Sequence, residues 1–268
     1  MLIRLGYDIR FDITAPVPVV ALLKVHPSRR HDLREPDELR IEPYVAIDEY
    51  RDLFGNISTR FVAPAGSIRL FNSTLIEDSG LPDPICPDAR EVPIAELPPE
   101  TLRYLMGSRF CEVDLLSPAA VELFGNAPRG WGRVQAICDW VYSKVTFSYA
   151  HARPQRTALD VYTERIGVCR DFQHLAVTFC RALNIPARYT AGYLGDIGIT
   201  LPPAPMDFSA WFEAYLEDRW WTFDARHNQQ RIGRVLVATG LDAMDAAITT
   251  SFGAAKLTQF TVVSDEIV

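Results

Sequence analysis

Residues 165–183 read RIGVCRDFQHLAVTFCRAL. From Cys169 the apolar positions are Phe172, Leu175, Ala176, Phe179, Cys180 and Leu183, and spacings of three and four put them on one continuous face of an α-helix. The helix ends at LNIPAR, because Pro186 has no N–H to extend it and disfavours helical geometry at Ile185. Two cysteines in this stretch differ in place. Cys180 lies on the apolar stripe and reads as a buried thiol. Cys169 stands in the first turn, directly after Gly167-Val168, where unpaired backbone N–H groups and the helix dipole favour negative charge. A thiol so placed is expected to ionise below the usual value of about 8.5. The same N–H groups can hold the oxyanion that forms when a thiolate attacks a carbonyl, and Arg170 adds positive potential.

Working outward, strand-like runs follow the helix: ARYTAGYL (187–194), DFSAWFEAYL (207–216), RWWTFDA (219–225), RVLVATG (234–240) and LTQFTVVSD (257–265). Helical patterns precede it. GWGRVQAICDWVYSKVTF (130–147) carries Trp131, Val134, Ile137, Cys138, Val141 and Tyr142 at helical spacing. LPPETLRYLMG (97–107) and SPAAVELFG (117–125) open on a proline or a cap-like residue and close on glycine. At the N-terminus, Ile3, Leu5, Tyr7, Ile9, Phe11 and Ile13 alternate with Arg4, Asp8, Arg10 and Asp12, a period-two strand pattern. Gly55-Asn56 divides two further strand-like runs into a hairpin. Six prolines between Pro82 and Pro99 mark a boundary. The fold class is therefore α+β. An N-terminal all-β, sandwich-like domain is expected over 1–82, and helices packed on an antiparallel sheet over 83–268, with 83–100 as a proline-rich linker.

A net charge of -7 and a pI near 5.3 argue against nucleic acid or an anionic membrane as partner. No apolar run approaches the roughly 18 residues of a membrane span, and the first residues lack the pattern of a secretory signal. The five cysteines show neither CxxC nor Cys/His spacing, so neither a disulfide framework nor a metal site is expected, and free thiols suit the cytoplasm. GYLGDIG (192–198) lacks the lysine and following helix of a phosphate loop, and no cofactor is expected. It reads as a loop running on through TLPPAPM (200–206) towards Ser209.

GVCRDFQHLAVTFCRALNIPARYTAGYL followed by DFSAWFEAYLEDRWWTFDARHN resembles the bacterial transglutaminase-like superfamily, related in fold to papain-type cysteine proteases. The likeness covers about Trp131 to Asn228, and the β unit before it resembles the N-terminal domain of one bacterial branch. The resemblance implies Cys169 as nucleophile, Asp224 of TFDA as the orienting carboxylate, and a peptide or protein substrate. Where the family has a histidine in an H-A-W context, this chain has Ser209.

That departure matters because amide acyl transfer needs a base for the thiol and an acid for the departing amine. Imidazole does both near neutral pH, and a serine hydroxyl does neither. Two other histidines are near in sequence. His174, five residues along the helix, points away from Cys169 and reads as structural. His227 is the better substitute. Sheet alternation across a hairpin near Glu217–Arg219 puts Ser209 and Asp224 on one face and His227 on the other. His227 then reaches the site only if the chain bends after Asp224. Trp211 shares the Ser209 face and is a candidate wall for a substrate chain, and Glu213 is expected to pair with an arginine. Two functions follow: a cysteine-dependent hydrolase or acyl transferase, or a catalytically impaired module that binds a peptide or protein in the same cleft. The oligomeric state is not fixed by the sequence.

Overall fold

The computed structural model describes residues 1–199 and 206–267. Its strands and α-helices run β1 (Leu2–Ile13), β2 (Val17–Ala21), β3 (Arg40–Glu42), β4 (Asp48–Arg51), β5 (Ile57–Ala63), β6 (Gly66–Glu77), α1 (Val113–Phe124), α2 (Trp131–Lys144), β7 (Thr146–Phe147), α3 (Ala158–Glu164), β8 (Ile166–Gly167), α4 (Cys169–Ala182), β9 (Ala187–Leu194), β10 (Ser209–Leu216), β11 (Arg219–Phe223), β12 (Arg234–Gly240), β13 (Thr249–Ser251) and β14 (Ala255–Ile267). LPPETLRYLMG forms a 3₁₀ turn over Pro99–Leu105 rather than an α-helix. The fold is α+β.

Two four-stranded sheets, β14-β1-β6-β3 and β13-β2-β5-β4, make the sandwich. The alternation read in residues 3–13 holds: Ile3, Leu5, Tyr7, Ile9 and Ile13 are buried on one face of β1. The expected hairpin is present, with β4 antiparallel to β5 and Gly55 at φ +86° in the turn. Its Asn56 side chain exchanges two 2.8 Å hydrogen bonds with the Thr239 backbone of β12.

The sequence assigned 257–265 to the second unit, and the structure places it otherwise. β14 pairs antiparallel with β1 from Leu2↔Ile267 to Ile13↔Ala255, and β13 pairs with β2. The C-terminal strands therefore complete the N-terminal sandwich. Alternation tells which face of a strand is buried and says nothing of its neighbour. Residues 83–100 also do more than link. Ala89 is buried and its carbonyl accepts from Trp131 N, while Glu91 holds Gly130 N and Arg133.

The third sheet, β11-β10-β9-β12, is antiparallel, and α4 lies across it. Phe172, Leu175, Ala176, Phe179 and Cys180 pack with Phe212, Ala214 and Leu216. Helices α1, α2 and α3 cover the other sides of α4, so every residue from Asp171 to Arg181 is buried, polar ones included. Arg181 is compatible with that burial because its guanidinium donates to the carbonyls of Ala187, Met106 and Leu241. The sandwich core continues into Tyr189, Ala191, Tyr193, Val235 and Val237 of the third sheet, and Cys169 packs against it.

Candidate active site

Cys169 opens α4 immediately after β8, with Val168 in extended conformation before it. Asp171, fully buried, folds back so that its Oδ2 accepts from Val168 N at 2.9 Å. Gly167 permits this approach, since a Cβ there would lie 2.7 Å from Asp171 Cβ. The positive end of the helix thus faces a carboxylate of the same chain. Cys169 is partly exposed. Burial pushes its thiol up to about 11, Asp207 and Asp171 add to that, and Arg226 and the Arg170 N–H oppose it. The expectation that the helix start would lower this thiol is therefore overturned. Desolvation of the sulfur against the sandwich core is the largest influence on it. Cys180 is sealed in the core, and burial raises it further.

Asp224 follows the last residue of β11. The β10–β11 hairpin pairs Leu216↔Arg219 back to Phe212↔Phe223, turning at Glu217 and Asp218, and then the strands part. Gln173, one turn along α4 from Cys169, fills the gap. Its amide donates to Ala210 O and Asp224 Oδ1, both at 3.1 Å, and accepts from Ala225 N at 3.1 Å. Spacing i, i+4 puts Gln173 under Cys169, and that spacing was the signal from which sequence reasoning could have identified it. Gln173→Leu orphans these buried groups and is expected to lower stability by about 2 kcal/mol. The check is a lower urea midpoint at unchanged slope.

The bend on which His227 depended is present. Asp224 Oδ1 accepts from the N–H groups of Arg226 (3.0 Å) and His227 (3.1 Å), and Asn228 N donates to Asp224 O at 2.8 Å. This Asx-type turn reverses the chain and lays the His227 ring on the carboxylate, with Nδ1 2.8 Å from Asp224 Oδ2. Burial alone would raise Asp224. The charge of Arg234, with the hydrogen bonds and charge of His227, reverses that and holds it well below the usual carboxylate range. An ionised carboxylate only accepts, so Nδ1 carries the hydrogen and Nε2 is the free nitrogen of the neutral ring. Nε2 is not idle: Arg226 Nη1 lies 2.8 Å from it and donates to it. Arg226 in turn lies over the Phe147 ring, 4.0 Å from its centroid. Among the described residues, no imidazole nitrogen is hydrogen-bonded to Cys169 Sγ.

Ser209 begins β10 opposite Gly192, and its Oγ is buried without a partner among the described residues. It bonds to neither Cys169 nor Asp224 in this arrangement. Trp211 is 2% exposed and packs against Gly192, where an added Cβ would meet the indole at 2.9 Å. Its ring therefore presents no open wall to a substrate here. Glu213 pairs with Arg188 at 2.5 Å, the arginine partner expected of it. His174 is fully buried, stacks on Phe110 and accepts from Ala243 N, with burial pushing it down to about 3. It is a structural residue. Of the expected loop, Gly192–Leu194 form the end of β9, and residues 200–205 lie outside the described residues. Among those described, no three His, Cys, Asp or Glu side chains are grouped to hold a metal ion, and no helix is long and apolar enough to cross a membrane.

The profile of the Transglutaminase-like superfamily matches residues 119–225. That segment holds Cys169, Ser209 and Asp224 and stops two residues short of His227. The crystal structure of a "Putative Cysteine Protease" from Cytophaga hutchinsonii is 30% identical, with a TM-score of 0.85 over 99% of this chain and 90% of that one. The uncharacterized protein ML0607 of Mycobacterium leprae is 26% identical over 229 residues, covering 78% of this chain and 77% of its own.

Proposed function

Since the chain belongs to the transglutaminase-like superfamily, we propose that it is a cysteine-dependent enzyme that cleaves or transfers the acyl group of a peptide or isopeptide amide. Cys169 is the nucleophile in this reading, and Asp224 with His227 forms the carboxylate–imidazole pair that the family's histidine position cannot form through Ser209. The observation that carries it is the 2.8 Å contact of His227 Nδ1 with Asp224, on a carboxylate braced one helical turn from Cys169 by Gln173.

The chemistry follows from the tautomer. With Nδ1–H bound to Asp224, His227 Nε2 takes the proton from the Cys169 thiol once Arg226 has moved from it. The sulfur attacks the amide carbon, and the oxyanion collects on the N–H groups at the start of α4. The imidazolium then protonates the departing amine. Water or a second amine, activated by the same nitrogen, releases the acyl group from sulfur. In the resting state the thiol is neutral, so iodoacetamide is expected to label Cys169 slowly at pH 7 and about tenfold faster per pH unit up to about 10, as thiolate fraction dictates.

Ser209 and the raised thiol favour a second reading, an impaired module that binds a peptide in the same cleft. One experiment separates the two. Intact mass after incubation with peptide thioesters and amides is expected to show an acyl adduct on Cys169, absent from Cys169→Ala. If neither wild type nor Cys169→Ala gains an acyl mass under any condition while peptide still binds, the enzyme reading is wrong and the module stands. All five cysteines are free thiols, which supports assigning the reaction to the reducing cytoplasm.

A further inference from the structure

The arginines of this chain are mostly engaged by carboxylates, and Arg226 is not. Arg153, Arg156, Arg170, Arg188, Arg231 and Arg234 each have an acidic partner within 4.0 Å. Arg226 has none among the described residues, although it is partly exposed and close enough to Cys169 for its charge to favour the thiolate. Its one side-chain hydrogen bond among the described residues goes to a neutral acceptor, His227 Nε2. The Phe147 ring under its plane fixes the orientation of the guanidinium, leaving the other N–H donors at its edge without a protein acceptor among the described residues. Asp207 is near enough to feel the charge of Arg226, but no salt bridge joins the two. Tyr149, 58% exposed, is near enough to Cys169 and Arg226 for its hydroxyl to feel their charges.

We propose that Arg226 is the specificity residue of this site: it takes a carboxylate of an acidic peptide, and by doing so leaves His227 Nε2 free to act. A carboxylate offers two charged oxygens to the guanidinium fork, whereas imidazole offers one neutral lone pair, so the acid outcompetes the ring. The bound carboxylate also favours the imidazolium that forms when Nε2 takes the thiol proton. An acidic substrate therefore selects itself and unlocks the base, while a neutral peptide meets a ring whose lone pair is occupied. The inference rests on the proposed role of His227, and its test separates the two.

The probes are three peptides: acetyl-Ala-Glu-Ala-amide, acetyl-Ala-Gln-Ala-amide and acetyl-Ala-Gln-Ala with a free C-terminal carboxylate. Long-range proton–nitrogen spectra of the 15N-labelled protein follow His227 Nε2 directly, with or without turnover. The glutamate or the free-acid peptide is expected to shift this resonance and the neutral peptide to leave it in place; which acid acts tells a side chain from a chain end. In turnover, kcat/KM is expected to favour the acidic peptide roughly 10- to 100-fold, the range of a charge-assisted hydrogen bond. Arg226→Gln abolishes that preference and Arg226→Lys keeps part of it, whereas an arginine that merely braced the turn would lower all three peptides alike. No shift of Nε2 with either acid, or equal kcat/KM for all three peptides, overturns the inference. A shift without turnover leaves it standing and removes the enzyme reading alone.

Discussion

His227→Gln is expected to lower kcat for amide cleavage or transfer by about 10²- to 10⁴-fold, the usual contribution of a positioned acid–base group. Glutamine is a stringent replacement, because its amide N–H can still donate to Asp224 as the ring Nδ1 does now at 2.8 Å. The turn built by Arg226 N and His227 N on Asp224 Oδ1 uses backbone donors and is untouched. What disappears is the ring nitrogen that takes the thiol proton and returns it to the departing amine. The loss should therefore fall on kcat, with KM changed little, because substrate contacts are not removed. Acyl adduct formation on Cys169 should slow in parallel. Alkylation of the resting thiol by iodoacetamide should keep its pH profile, since burial and Asp207 are the leading influences on it. A variant with kcat within about twofold of wild type would show that another group moves the proton.

The parts of the site that were legible in the sequence are those fixed by local periodicity. The apolar stripe from Phe172 to Leu183 identified α4, and Cys169 at its first turn followed from counting back along it. The alternation of β10 and β11 gave Ser209 and Asp224 a common parity, and by the same rule it sent His227 to the opposite face. That rule ends where the strand ends. Asp224 accepts from two backbone N–H groups ahead of it, and such side-chain-to-backbone bonding reverses a chain without any signature in alternation. The thiol was misjudged for the complementary reason. The helix dipole is a local property that sequence reveals, whereas desolvation of Cys169 depends on the sandwich core packed against it. Long-range pairing was hidden too. Nothing in residues 255–267 says that they lie along residues 2–13, because a strand's pattern carries its face and not its partner.

Asp224→Asn is expected to destabilise the fold by about 3–5 kcal/mol at pH 7, the cost of removing one partner from a buried ion pair. Five donors converge on this carboxylate: Gln173 Nε2, Arg226 N and His227 N on Oδ1, and His227 Nδ1 and Arg234 Nη2 on Oδ2. Asparagine keeps one acceptor oxygen but turns an N–H₂ group towards two donors, and flipping the amide moves the conflict to the other three. Arg234, whose side chain is 7% exposed, would keep only Asp83. The pH dependence gives the argument its sign. Asp224 is held below its ordinary range when folded, so its contribution is fully present above the unfolded value of about 3.9 and is lost as pH falls below it. The stability gap between wild type and Asp224→Asn, read from urea midpoints, should therefore be widest near neutrality and narrow below about pH 4. A gap under about 1 kcal/mol at pH 7 would mean that the cluster tolerates a neutral centre and that Arg234 has another counter-charge.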